Sequence, residues 1–349
     1  MKSYFILFTI MFALQYVRVK DDRSYLRRCL LTFLPLFLFG AFRTDCGDYD
    51  SYETFFEGVH GGGDFYSFNE RMEYGFTLLN HIMPSYRMLM VVTSLFVCIT
   101  FAYFFYKNIP SKYSWLGIIF LFLSADKSIY FMLGSMRNSI AISMLLWSVT
   151  FIRDRKYIPM IVTTIVAALF HTSSLIFFPI AFFIARNEKM GTAEMAIWIV
   201  AMAVLIMTPI TTFLEQIVPY VDLYFERYES YVDESRDAGT LATLGAVLMA
   251  LPALIYMYKN NALTKEENTI GRLALCFMYS YFLGSLNVRI SQYYMLFFLP
   301  YIVSYYERVK DQGLRIGYVA YCGLFLAYAL FVVSANNISS PFVMFKSFF

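Results

Sequence analysis

Charge is what this chain has least of. Asp, Glu, Lys and Arg make up 15% of its 349 residues, against about a quarter in a soluble domain. With 59% hydrophobic residues beside that shortage, the composition excludes an ordinary water-soluble globule and indicates an integral membrane protein. Alternating apolar and polar runs of strand length are also missing, which excludes a transmembrane barrel. The apolar runs are continuous instead, and their lengths of roughly 15–22 residues fit helices crossing a hydrocarbon core about 30 Å thick. Histidine occurs three times and cysteine five. Cys29, Cys46, Cys98, Cys276 and Cys322 show no metal-type spacing, and only Cys46 falls in a clearly polar loop. Neither a disulfide framework nor a zinc site is implied, and no metal or cofactor is expected. No internal repeat is evident, and no polar segment is long enough to fold alone. The expectation is one integral membrane domain over 1–349, an all-α polytopic bundle.

What charge there is sets the topology. The first apolar stretch, 4–17, has no small-residue cleavage site after it and reads as an uncleaved span. It runs into a basic cluster of Arg18, Lys20, Arg23, Arg27 and Arg28, cytoplasmic by the positive-inside rule, so the N-terminus lies outside. Residues 29–43 return outward to a polar segment, 44–85, rich in Asp and Glu. Spans at 86–106, 114–124 and 138–152 follow, the second ending in an interfacial turn with Asp126 and Lys127. The next stretch, 157–185, is a difficulty. As one helix it would measure about 43 Å, too long for an untilted crossing. Basic residues stand on both flanks, Arg153, Arg155 and Lys156 before it and Arg186 and Lys189 after. A pair of short helices bending at His171 satisfies both length and charge. The alternative is one tilted span kinked at Pro179. Further spans at 193–213, 239–258, 270–284, 291–306 and 316–334, with a second acidic outer loop at 214–238, bring the total to about twelve segments. Both termini are then outside.

On this topology Arg137, His171 and Arg289 fall at the same outer interface. Arginine there is permanently charged and offers a planar fork of donors suited to phosphate oxygens. The dipoles of helices running inward from that face favour an anion beside it. A histidine with an ordinary pKa of about 6.5 can take or give a proton at neutral pH. Each also has a plainer reading. A helix-end arginine is more often an interfacial anchor, and a histidine at a bend often bonds an exposed carbonyl. Two arginines on the outer side run against the positive-inside rule, which favours a site. Within GDYDSYETF (Gly47 to Phe55), Asp48 and Asp50 alternate with tyrosines such as Tyr52. Carboxylates bond sugar hydroxyls and tyrosine rings stack on sugar faces, so this stretch suits carbohydrate as well as a solvated loop.

The stretches GDYDSY, MEYGFTLLN at 72–80, MRNSIA at 136–141, ALFHTSS at 168–174, NVRISQYY at 287–294 and the terminal SPFVMFKSFF together resemble the EpsG family, a branch of the Wzy-type bacterial polysaccharide polymerases. The likeness runs over nearly the whole chain in order. Asn138 after Arg137 and Tyr74 after Glu73 depart from the residues often found there, glutamine and proline, without removing a charged group. The resemblance implies a fold related to C-type lipid-dependent glycosyltransferases. It implies a multi-pass protein of the bacterial inner membrane whose active site faces away from the cytoplasm. Its donor and acceptor would both be oligosaccharide repeats on undecaprenyl pyrophosphate, with a flippase and a chain-length regulator as further partners and no nucleic acid. Arg137 and Arg289 would hold the pyrophosphate leaving group and His171 would orient or deprotonate the acceptor hydroxyl. Asp48, Asp50, Tyr52 and Glu73 would position sugar.

Competing classes are distinguishable. A transporter or flippase of lipid-linked sugars would carry charges at mid-membrane and related halves, whereas these charges gather at one face. A membrane O-acyltransferase acting on polysaccharide would also use a histidine, but on the cytoplasmic side where its acyl donor lies. A non-catalytic assembly partner of a polysaccharide complex shares all of these features.

Overall fold

A computed structural model describes residues 2–44, 48–62, 72–184, 188–208 and 239–336, and all regular structure among them is helical. Four helices are long and apolar enough to cross a membrane: α2 (Asp22–Phe42), α5 (Tyr86–Asn108), α12 (Thr240–Lys259) and most of α15 (Gln312–Asn336). Shorter ones are α1 (Lys2–Ala13), α6 (Ser114–Leu123), α7 (Ile129–Leu133), α8 (Met136–Arg153) and α11 (Thr192–Met207). With them stand α13 (Lys265–Ser280) and α14 (Asn287–Arg308). The chain divides into two compact units, one of 1–183 with 326–349 and one of 184–325.

In the first unit, helix starts follow local side-chain chemistry. Asp21 and Ser24 form a reciprocal cap at the start of α2, satisfying N–H groups that the first turn leaves free. Ser85 caps α5 with a single bond, its hydroxyl accepting from the Met88 N–H at 3.2 Å. One charged group from the basic cluster does more than set topology. Arg28 is buried and donates to the Gln15 carbonyl at 2.7 Å, the Ser111 carbonyl at 2.7 Å and the Ser114 hydroxyl at 2.8 Å. It thereby ties the ends of three segments. Asp126 and Lys127, expected at an interfacial turn, are instead buried as an ion pair at 2.6 Å.

Among the described residues of the polar segment 44–85, expected as an outer loop, stand two helices, α3 (Tyr49–His60) and α4 (Tyr74–Ile82). On α3 the buried residues Tyr49, Tyr52, Phe55, Phe56 and Val59 recur at helical spacing and make one apolar face. That face joins Phe76 of α4, Tyr86 and Leu89 of α5 and Met136 and Ile140 of α8 in a single core. The stretch 157–185 is two helices, α9 (Tyr157–Ala168) and α10 (Phe177–Ile184), separated by a 3-10 turn at Thr172–Ile176. Tyr157 near the start of α9 meets Phe182 near the end of α10 with ring centroids 4.9 Å apart. A single straight helix would hold those rings about 37 Å apart, so the pair doubles back.

In the second unit, part-buried carboxylate–guanidinium pairs fix the helix ends. Glu194 of α11 accepts two bonds from Arg272 of α13, at 2.6 and 2.8 Å. Glu267 completes a reciprocal cap with Thr264 and also takes Arg308 of α14 at 2.6 and 2.8 Å. The acidic loop 214–238 and the SPFVMFKSFF tail lie outside the described residues.

Candidate functional site

The site is assembled around Glu73, the residue before α4. Its backbone is extended (φ −68°, ψ 145°), the usual geometry of a helix cap, yet its side chain makes no capping bond to its own helix. The carboxylate turns instead to two distant segments. Oε2 accepts from Arg137 Nη1 at 2.5 Å, and Oε1 accepts from the Thr172 backbone N–H at 3.1 Å. The same Oε1 lies 3.5 Å from His171 Nδ1, within charge-pairing reach but without the geometry of a hydrogen bond. One carboxylate thus joins the start of α8 to the turn after α9.

The local sequence explains how these three meet. Helices α8 and α9 are joined by the short basic turn at 153–156, so the start of α8 and the end of α9 lie at the same end of the bundle. Helix α4 approaches that end closely. The Gly75 N–H donates to the Leu169 carbonyl at 2.7 Å, capping the last turn of α9 from outside. A Cβ on residue 75 would stand 2.8 Å from that carbonyl oxygen, so only glycine allows the approach.

Burial and charge compete at Glu73. Burial raises the cost of ionising it, but the adjacent His171 ring, the Arg137 charge and the Thr172 N–H outweigh that. Together they hold the carboxyl at about 2, well below its ordinary 4.5. Glu73 is therefore an anion under all ordinary conditions, and both its oxygens are engaged by protein groups. Arg137 also leans on Tyr52, with Cζ 5.9 Å from the ring centre and Nε 3.5 Å from the hydroxyl. The Tyr52 hydroxyl is 3.4 Å from Asp48 Oδ2 and 3.3 Å from Ser135 Oγ.

Of the residues singled out from sequence, Arg137, His171, Glu73, Tyr52 and Asp48 come together here. Asp50 is exposed on α3 and makes no contact with the cluster among the described residues. Arg289 stands in the first turn of α14, in the second unit, and its side chain lies outside the described residues. Sequence reading gave Ser135 and Gly75 no part, and both carry geometry that single-letter patterns do not display. It also passed over Arg43, a buried arginine at the end of α2. Arg43 carries the same sequence signal as Arg137, an arginine at the end of an apolar run. Among the described residues no group of three or more His, Cys, Asp or Glu could hold a metal ion. Cys29, Cys98, Cys276 and Cys322 are buried free thiols, and Cys46 lies outside the described residues.

No curated protein and no solved structure matches the chain. A family model does match, over residues 26–347, and it spans every segment that builds the Glu73 cluster. On that match the chain belongs to the EpsG family, a family of Wzy-type polysaccharide polymerases.

Proposed function

We propose that this protein polymerises lipid-linked oligosaccharide repeats at the outer face of the bacterial inner membrane. The growing glycan leaves undecaprenyl pyrophosphate and is transferred to the non-reducing end of a second undecaprenyl-pyrophosphate-linked repeat. The observation that carries this reading is the meeting of Arg137, Glu73 and His171 from three separate segments, in a chain of the EpsG family.

The geometry around Glu73 supports the following roles. An ionised carboxylate facing Nδ1 of His171 favours the tautomer with its proton on Nδ1, leaving the Nε2 lone pair to accept a proton. His171 would then deprotonate the acceptor sugar hydroxyl as the new glycosidic bond forms. Glu73, with both oxygens held by protein, acts as the orienting group and not as a sugar contact. Arg137 is fixed by Glu73 through Nη1 and presents its remaining donors to the departing pyrophosphate, where negative charge builds. The family resemblance, and not the geometry, assigns Arg289 to the same leaving group as a second guanidinium. Asp48 and Tyr52 would serve as sugar contacts, Tyr52 through its hydroxyl because its ring is buried in the core, and exposed Asp50 on α3 would serve the same end. No nucleotide sugar or metal is needed, because the pyrophosphate ester is itself the activated donor.

The test is polymer length. Arg137→Ala, His171→Ala and Arg289→Ala variants that insert normally are each expected to leave single repeats on lipid. Long polymer from any of them removes that residue from the mechanism, and long polymer from all three removes the mechanism.

A further inference from the structure

A second arginine is buried without a carboxylate partner among the described residues. Arg43 follows the last turn of α2, its N–H closing on the Phe39 carbonyl at 3.1 Å. It is only 3% exposed, and its Nε and Nη2 are out of contact with water and without a hydrogen-bond partner. Among the described residues no carboxylate pairs with it. A guanidinium cannot shed its proton, and burying one unpaired is strongly unfavourable unless an anion completes it.

The surroundings are built to receive one. Arg43 and the Glu53 carboxylate both lie within electrostatic range of the hydroxyls of Tyr49 and Tyr86. Those residues are locked together, the Tyr86 hydroxyl donating to the Tyr49 carbonyl at 3.0 Å. Tyr49 opens α3, whose first turn receives no side-chain cap from Asp48, so its positive dipole end adds to the field. Tyr52, three residues on along the same buried face, touches Arg137. Arg87 holds the Arg43 backbone in place by donating to the Ala41 and Arg43 carbonyls at 3.1 and 3.0 Å. Opposing charge is limited: Glu53 accepts from the Tyr49 hydroxyl at 3.3 Å, and Asp48 and Asp50 are exposed.

We propose that Arg43 is a second oxyanion-binding residue, taking a phosphate-class group where α2, α3 and α5 meet, separated from Arg137 by Tyr49 and Tyr52 of one helix face. The identity of that group as a lipid pyrophosphate rests on the polymerase reading. Two such headgroups must be present at once, and Arg43 holds the one not at Arg137.

The experiment uses the purified full chain in detergent and needs no turnover, so its failure is separable from failure of the polymerase assay. Thermal unfolding is followed while titrating inorganic pyrophosphate, with glucuronate as the acidic-sugar control. Pyrophosphate is expected to raise the Tm of the wild type. Arg43→Met is expected to match or exceed the wild-type Tm without ligand, because it removes a buried charge that no described carboxylate pairs. Its affinity for pyrophosphate should fall about tenfold or more, the loss expected for charge-assisted bonds. A lower Tm in Arg43→Met with unchanged pyrophosphate affinity overturns the proposal. If Arg43→Met does not fold, Arg43→Lys decides. That variant keeps the charge but not the planar fork, so weakened binding at wild-type Tm supports the proposal and unchanged binding overturns it. Stabilisation by glucuronate alone also overturns it.

Discussion

Arg137 Nη1 donates to Glu73 Oε2 at 2.5 Å, across 64 residues of sequence, with the two side chains only 21% and 14% exposed. The pair is half-sheltered, so its worth lies between that of a surface bridge and that of a buried one. Breaking it from either side leaves a charge without its partner. Glu73→Gln and Arg137→Gln should each destabilise the protein by about 1–3 kcal/mol. The double variant should lose less than the two added together, with a coupling of about 1–2 kcal/mol. Thermal unfolding of the three variants and the wild type measures it. Additive losses would mean that the two groups act independently and that Glu73 does not hold Arg137.

The depressed Glu73 carboxyl makes stability depend on pH in one direction. Because its folded value of about 2 lies below the ordinary 4.5, its contribution is complete above about pH 4.5. It is lost as pH falls from there toward 2. The full shift corresponds to about 3 kcal/mol, reduced by water reaching the edge of the cluster. The Tm advantage of the wild type over Glu73→Gln should therefore be constant near neutrality and shrink as pH drops below about 4.5. An advantage that grows on acidification would reverse the sign and contradict the assignment.

Gly75 offers a way to disturb the site without removing any charged group. A methyl at this position meets the Leu169 carbonyl at 2.8 Å, and backbone on both sides must shift to admit it. Glu73 is two residues away and Leu169 is two residues before His171, so the displacement opens the carboxylate from its partners. Gly75→Ala should insert normally, yet lose up to about a hundredfold in polymer formation, the scale of a misplacement near 1 Å. Wild-type polymer yield would show that the close approach of α4 and α9 does not position the cluster.

Much of this was legible in the sequence, for reasons that differ by residue. The helical, membrane-embedded class follows from composition, and the break near His171 follows from helix length and flanking charge. Both are one-dimensional properties. Helix α3 was harder to see, because its apolar face is built from tyrosines and phenylalanines interleaved with Asp48, Asp50, Glu53 and Glu57. Such a stretch reads as polar unless laid on a helix. Glu73 was recognised as a candidate with another role, since pairing it to Arg137 and His171 needs α4 docked on α9. That docking rests on one missing Cβ, at Gly75, which hydropathy does not register. Arg43 carried the same sequence signal as Arg137 and was overlooked because its span was read as ending there.

The second unit supplies a contrast between holding the fold and serving the site. Arg272 has no exposed side-chain surface, and Glu194 grips it with both oxygens, at 2.6 and 2.8 Å. Removing one partner strands the other charge away from water, which costs about 3–5 kcal/mol, while replacing both by apolar groups is often neutral or better. Glu194→Gln should therefore lower Tm sharply, and Glu194→Leu combined with Arg272→Met should recover most of the loss. The same double replacement at Glu73 and Arg137 should abolish polymer whatever it does to Tm. Unfolding curves for both sets, read beside polymer length, separate the two kinds of ion pair. If the Glu194–Arg272 double variant folds well and makes no polymer, that pair takes part in function and is more than a clamp.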